Sequence, residues 1–477
     1  MSKQELKNTI VYTFLSFLPA TTQLILLPLY MQKLSVAQFG VFQGMTIVQV
    51  LVSTLFGLSL HASVARYYFS YRHDPARIKD YLSSVFWLLT LISIVIFLIG
   101  LLVGTFLFDL FYKSDTLDYY PYGIVAVSTG LLNVAIPVFL VVFRIIQHLK
   151  AFAFISLMSF LGNLIGQIIC LLYLDSSVIN LMLAKLWVII AIFLFLVYYT
   201  ITRYGVTLKK SYLKPSLYFA LPLLPYSLLS WFYIFNDNTI ILRFLDENAL
   251  GIYNFAVNLA AAVELFVVSV SQAVQPKIFE LFTQRKNEQQ TKELNFNHKM
   301  IMEISILAIA GLVLVGQNLF LIVPKEEYEK AALYVPLLGI GFLFRVYQII
   351  FTMPLFYQRK TQVFFYLTFA SVVIGFVLHW FLIPYIGLWA AIWSGVVARA
   401  IQVPVIYYIA QKHAKFTYSV KDMYIAPALM MAVLALISYA QIYWDMTIWI
   451  GSTLFFVLVC GYLLYSNIQL LRNKILL

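Results

Sequence analysis

The sequence predicts an all-α polytopic membrane protein of about fourteen transmembrane helices, and three observations predict it. Of its 477 residues 62% are hydrophobic and only 11% are charged, against about 45–50% apolar and about 25% charged in soluble domains. Apolar runs of about 20 residues, the length a helix needs to cross a bilayer, recur from one end of the chain to the other. Basic residues are unevenly shared among the gaps between those runs, as the positive-inside rule expects. So few charges cannot cover a water-soluble chain of this length, which excludes a soluble enzyme.

Taken in order, the predicted spans are 9–31, 41–62, 82–108, 121–143, 151–174, 178–202, 216–242, 250–275, 300–323, 333–356, 361–384, 387–410, 425–443 and 447–470. The first follows a charged start, MSKQELKNTI, and no small-residue cleavage pattern precedes Pro28, so it reads as a retained span. With the N-terminus cytoplasmic, 24 of the 32 Lys and Arg fall on the inner side and five on the outer side. That alternation puts both termini in the cytoplasm and would collapse if a central span had been missed. The formal charge of +12 therefore records topology and calls for no nucleic acid. The two longest inner loops, 63–81 and 276–299, suit either helices lying along the cytoplasmic face or solvated connectors.

Cys170 and Cys460 lie inside apolar runs, so neither a disulfide framework nor a thiolate metal site is expected. Metalloprotease, P-loop, nucleophile-elbow and CxxC motifs are absent, and no cofactor is called for. Gly100/Gly104 and Gly162/Gly166 are GxxxG pairs, which imply close helix packing.

An internal repeat organises the spans. Leu34–Gln43 (LSVAQFGVFQ) resembles Leu245–Asn254 (LDENALGIYN) at a constant offset of 211, with Leu, Gly, aromatic and amide positions in common. At that offset Arg66 falls on Lys277. Six helices per copy means that the second enters with the orientation of the first. Two six-helix lobes are then expected about a pseudo-two-fold axis along the membrane normal. The N-lobe would be residues 1–210 and the C-lobe 211–415, with two further helices in 416–477. Pro19 and Pro28 in the first span and Pro222 and Pro225 in the seventh suggest helices broken at corresponding places, a pointer to a transport site. Tolerated kinks are the alternative.

Ionisable groups within spans cost a few kcal/mol on insertion scales and usually face a partner or a wet cavity. Lys185, Arg345 and Arg399 are the basic ones, and the latter two sit too deep to reach water by snorkelling. The acidic candidates are Glu264 in the eighth span and Asp237 in the seventh, the latter flanked by Asn236 and Asn238. Either carboxylate could neutralise an arginine. Alternatively one exchanges H⁺ or Na⁺ during transport, with the flanking amides supplying oxygens to a hard cation. His61 and His379 read as packing residues.

At Asp237–Leu242, at Gly251–Ala256 and over LPLYMQKLSVAQFGVFQ (27–43), the chain resembles the polysaccharide and O-antigen flippases of the multidrug/oligosaccharidyl-lipid/polysaccharide exporter superfamily. The likeness in layout covers the whole length. It implies a multi-pass protein of the bacterial inner membrane that moves an undecaprenyl-diphosphate-linked oligosaccharide between leaflets by alternating access, with or without coupling to a cation gradient. It also implies a part for Asp237, with membrane lipids and polysaccharide assembly proteins as neighbours. The residues suit such cargo independently, because guanidinium groups bind phosphate oxygens bidentately. Arg345, Arg399 and Lys185 would line the cavity, while Arg66, Arg144 and Lys277 would form a basic inner rim. A peptidoglycan-precursor flippase and a multidrug cation antiporter are the alternatives within the superfamily. A membrane glycan polymerase or ligase is the enzyme alternative, disfavoured because no sizeable external loop exists to carry its chemistry.

Overall fold

The computed structural model describes residues 3–71, 73–111, 118–283, 288–322, 326–358, 362–413, 416–444 and 446–475. Helices dominate and no strand occurs among the described residues. A lipid-facing helix satisfies its own backbone, which an open sheet edge cannot do. The chain divides into two compact units, Met1–Gly251 and Ile252–Leu477.

The first unit holds α1 (Lys3–Lys33), α2 (Val36–Phe56), α3 (Leu60–Tyr71), α4 (Pro75–Phe111), α5 (Ile124–Asn133) and α6 (Ile136–Ile145). It continues with α7 (Leu149–Leu157), α8 (Asn163–Tyr173), α9 (Val178–Arg203), α10 (Lys210–Ala220) and α11 (Leu224–Phe244). Helix α12 (Glu247–Thr283) begins in this unit and runs into the second. There it is followed by α13 (Glu288–Ile322), α14 (Glu326–Tyr357), α15 (Gln362–Ile386), α16 (Leu388–His413), α17 (Ala426–Tyr443) and α18 (Ile448–Ile475). Several expected spans are thus two helices in series, such as α7 and α8, joined by a π turn at Met158–Gly162.

Among the described residues thirteen segments are long and apolar enough to cross a membrane. The seventh expected span is not one of them. It is helical, but a 3₁₀ turn at Leu221–Leu223 separates α10 from α11, and α11 carries the polar run Asn236-Asp237-Asn238. Pro222 and Pro225 explain the break, since neither has an N–H to donate. The matching break expected in the first span does not occur: α1 runs unbroken through Pro19 and Pro28. Neighbouring helices and polar surroundings commonly accommodate such prolines within a bundle. The two loops expected on the inner side are also shorter than predicted. Residues 63–71 complete the short helix α3 and α4 begins at Pro75, while α12 extends to Thr283 and α13 begins at Glu288, so most of these charged stretches are helical.

The two copies of the repeat start their helices alike. Ser35 caps α2, its Oγ accepting from the Gln38 N–H at 3.2 Å while Gln38 Oε1 accepts from the Ser35 N–H at 2.9 Å. Asp246, the counterpart of Ser35, accepts from the Ala249 N–H at 2.7 Å. The repeated glycines then meet. A β-carbon on Gly40 would strike the Glu247 carbonyl and lie 2.9 Å from the Gly251 nitrogen, and one on Gly251 would strike the Val36 carbonyl. Only glycine allows these backbones to approach so closely. Elsewhere in the unit, Gly162 receives Val188 and Gly166 receives Ala184, as the GxxxG pairing implies.

In the second unit α13 packs against α14 and α18, and α14 against α16 and α17. Amide bonds tie the last two helices down: Gln317 Nε2 donates to Gln441 Oε1 at 2.9 Å and Asn318 Nδ2 to Ser452 Oγ at 2.8 Å. Helices α17 and α18 therefore belong to this unit's packing.

Candidate functional site

Each unit carries a cluster of polar groups on its helices. In the first, α1, α2, α5, α8 and α9 surround a cavity of about 250 Å³, well above the roughly 30 Å³ that one water occupies in the liquid. Its polar lining comes from Thr22 and Gln23 on α1, Gln49 on α2 and, at four-residue spacing, Thr129 and Asn133 on α5 and Ser159, Asn163 and Gln167 leading along α8. Residues four apart share a helix face, so α8 and its preceding turn present three polar side chains inward. Pro19 also lines the cavity.

Lys185 supplies the charge. Among the described residues no carboxylate lines this cavity, and Lys185 is the only charged group that does. Its Nζ donates to Thr46 Oγ1 at 3.0 Å and stands 4.2 Å from the centre of the Phe42 ring. A hydroxyl and a π face can hold an ammonium in place without neutralising it. Several buried polar atoms around it, Thr22 Oγ1, Gln23 Nε2, Gln49 Nε2 and Asn163 Oδ1, have no protein partner. Each costs about 1–3 kcal/mol if left so. Tyr30, by contrast, donates to Gln167 Oε1.

The second unit holds an ion pair. Arg345 on α14 donates through Nε to Glu264 Oε1 on α12 at 3.2 Å and through Nη1 to Gln348 Oε1 at 3.3 Å. Gln348 Nε2 donates onward to Gln402 Oε1 at 2.6 Å, and Gln402 Nε2 to the Leu367 carbonyl at 2.8 Å. The chain of donors fixes the amide orientations. The pair is only partly covered, with side-chain exposures of 41% and 37%. Arg399 lies in the same unit with its guanidinium 5.2 Å from the Phe342 ring, and Nη1 would be 3.2 Å from a β-carbon on Gly341. The glycine there leaves room for the arginine.

The remaining expected residues are scattered. Arg66 covers the Phe219 ring at 4.5 Å, and Arg144 donates to Ser16 Oγ at 3.1 Å while lying 5.5 Å from the Phe152 ring. Lys277 pairs with Glu280 at 3.1 Å on an exposed stretch of α12. Asn236 and Asn238 are buried on α11 with Asp237 half-buried between them, and none of the three lines the first unit's cavity. The helix itself is anchored to α2 by Trp231 Nε1, which donates to the Ile47 carbonyl at 3.1 Å. His379 faces the Ala391 carbonyl at 3.1 Å in a buried position, a packing role. Tracing charges alone missed the uncharged stripe on α1, α5 and α8, although the four-residue spacing of Thr129 and Asn133, and of Ser159, Asn163 and Gln167, was available to reveal it.

The family model described as polysaccharide biosynthesis protein matches residues 6–282, and the MatE model matches residues 222–381. No curated protein sequence matches the chain. Among solved structures the fold is similar to a lipid II flippase, MurJ, in an inward closed conformation, at 15% identity and a TM-score of 0.70, covering 98% of this chain and 100% of that one. It is also similar to a multidrug resistance MATE family transporter of the MOP superfamily in its inward-facing conformation, at 13% identity and a TM-score of 0.66, covering 82% and 94% respectively. A mutant of the Vibrio cholerae MATE transporter VcmN matches at 14% identity and 0.58, covering 86% and 96%.

Proposed function

The chain belongs to the polysaccharide biosynthesis protein family, and from that premise we propose that it is a flippase for a lipid-linked oligosaccharide. The cargo is an undecaprenyl-diphosphate-linked repeat unit of O-antigen or capsule type, carried across the bacterial inner membrane by alternating access. The observation that carries this reading is the first unit's cavity, where one lysine stands among amides and hydroxyls and, among the described residues, no carboxylate joins it in the lining. Amide and hydroxyl arrays pair with sugar hydroxyls in both donor and acceptor roles. The uncompensated ammonium favours an anion, so sugar and phosphate chemistry are offered together. A cation antiporter would place a carboxylate where Lys185 stands.

In this reading Arg399 and the Arg345–Glu264 pair serve the second half of the transport path, and Arg66 and Arg144 receive the headgroup at the inner end. A coupling cation, H⁺ or Na⁺, would be carried by Asp237 with Asn236 and Asn238 on α11, or by Glu264, which Arg345 contacts at 3.2 Å. The test is a chromosomal Lys185→Met variant that inserts at normal levels. It is expected to lose surface glycan and accumulate lipid-linked repeat units on the inner leaflet. Normal export from that variant overturns the reading. Accumulation of lipid-linked peptidoglycan precursor instead selects the likeness to the lipid II flippase.

A further inference from the structure

A second recess in the first unit lies away from the polar cavity, between α7 and α9. Its shape follows from the residues along the pair. Where α8 meets α9, Gly162 and Gly166 let the helices close on Val188 and Ala184. About two turns further along, Phe154 on α7 meets Phe195 on α9 with ring centroids 4.6 Å apart. Bulky rings face each other here in place of the small residues, and a groove of about 570 Å³ lies towards the helices' other end. Its wall is apolar and aromatic, with Phe154, Phe195, Tyr198 and Tyr199.

Two cations close the open end, Lys150 from the first turn of α7 and Arg203 from the last turn of α9. Both are exposed. Neither forms an ion pair with a carboxylate among the described residues. His148 stands beside them, its Nδ1 accepting from the Ala151 N–H at 3.2 Å, which leaves Nε2 as the N–H donor of the neutral ring. The Thr202 hydroxyl is committed to the Tyr198 carbonyl at 2.9 Å, so the charge in this groove comes from Lys150 and Arg203.

The surroundings of the groove are those of a lipid-facing surface. Leu157 at the end of α7 and Leu161 and Ile165 beyond it lie exposed, as do Leu194, Tyr198 and Ile201 on α9, more large apolar side chains than water tolerates on neighbouring faces. Tyrosines near a helix end beside basic residues mark the headgroup level of a bilayer. On the orientation read from the charge bias, that level is the inner leaflet.

We propose that this groove binds an anionic phospholipid of the surrounding bilayer. The phosphodiester sits between Lys150 and Arg203, and an acyl chain lies along Phe154 and Phe195. Charge complementarity selects this occupant: two cations at headgroup depth, above an aromatic wall and with no carboxylate partner among the described residues, match a headgroup of net negative charge, whose phosphate no headgroup cation offsets. The assignment is independent of the cargo proposed above, because the groove shares no lining residue with the polar cavity.

The experiment uses the full chain purified in neutral detergent and titrated with phosphatidylglycerol or phosphatidylcholine, with bound lipid counted by native mass spectrometry. Phosphatidylglycerol is expected to bind preferentially. A Lys150→Gln/Arg203→Gln variant should lose that preference by roughly 30-fold, the loss expected for two basic side chains near an anionic headgroup. Charge-conserving Lys150→Arg/Arg203→Lys should keep it, as should Lys209→Gln/Lys210→Gln outside the groove. Equal binding of the two lipids by the unaltered chain overturns the proposal, and so does undiminished phosphatidylglycerol binding by the double glutamine variant. If undecaprenyl diphosphate displaces phosphatidylglycerol from the groove at equal concentration, the site belongs to the cargo and the proposal fails.

Discussion

The two units meet the same problem, a basic side chain held at membrane depth, in opposite ways. In the second unit Arg345 has a carboxylate 3.2 Å away on a neighbouring helix and an amide relay behind it. In the first unit Lys185 has a hydroxyl, an aromatic face and a polar cavity, with no acid lining that cavity among the described residues. An internal counter-ion ties a cation to its partner, because removing either one leaves the other in a low-dielectric environment. A cation without one keeps its charge available to whatever enters. The difference teaches that burial and charge by themselves do not identify a binding residue; the neighbouring side chains decide.

The largest expected effect tests the frame that both descriptions presuppose. Helix α2 carries Phe42, Thr46 and Gln49, and its position depends on the Gly40–Gly251 crossing. Gly40→Leu or Gly251→Leu should abolish the folded protein, read as loss of a monodisperse peak in fluorescence-detected size-exclusion chromatography. A stable, well-behaved Gly40→Leu protein would show that the crossing is dispensable and that Lys185 is not placed by it.

Breaking the second unit's pair comes next. Glu264→Ala should lower stability by about 1–3 kcal/mol, reduced from the roughly 3–5 kcal/mol of a fully buried pair because both side chains are partly exposed. A Glu264→Ala/Arg345→Met double variant should regain most of that loss. Thermal unfolding in detergent distinguishes the outcomes, and additive losses in the double variant would mean that the two residues do not act as a pair. Lys185→Met should differ in kind. Its stability should stay within about 1 kcal/mol of the unaltered protein or rise, since no carboxylate is stranded, while export falls at least tenfold. Destabilisation matching that of Glu264→Ala would erase the contrast between the units. The smallest effect belongs to Lys277→Ala, whose exposed pair with Glu280 should contribute less than about 0.5 kcal/mol. A clear defect in transport with unchanged stability would instead restore Lys277 to the inner rim.

How far the sequence reaches can be judged from single residues. Span positions were legible because hydropathy is a local property summed along the chain. The seventh segment shows where this stops: the same Asn236-Asp237-Asn238 run and prolines that draw attention to it also make it too polar to count by composition. Pro19 and Pro28 looked equivalent to Pro222 and Pro225 in the sequence, yet only the second pair interrupts its helix. The outcome depends on what surrounds the freed carbonyl, which no local window contains. Glu264 illustrates the same point at the site. Nothing in its neighbourhood along the chain announces Arg345, because the contact joins two different helices.

By itself, then, the sequence determined the solvent, the helical class, the approximate spans and the repeat that brings Gly40 and Gly251 into register. These follow from composition and periodicity, since a bilayer admits few structures that satisfy the backbone. Tertiary structure alone decided which cation has a counter-ion and which faces a cavity, how the uncharged stripes of α1, α5 and α8 converge, and where α7 and α9 part. Each of these depends on distances between helices far apart in the chain, among them the close approaches that glycines permit.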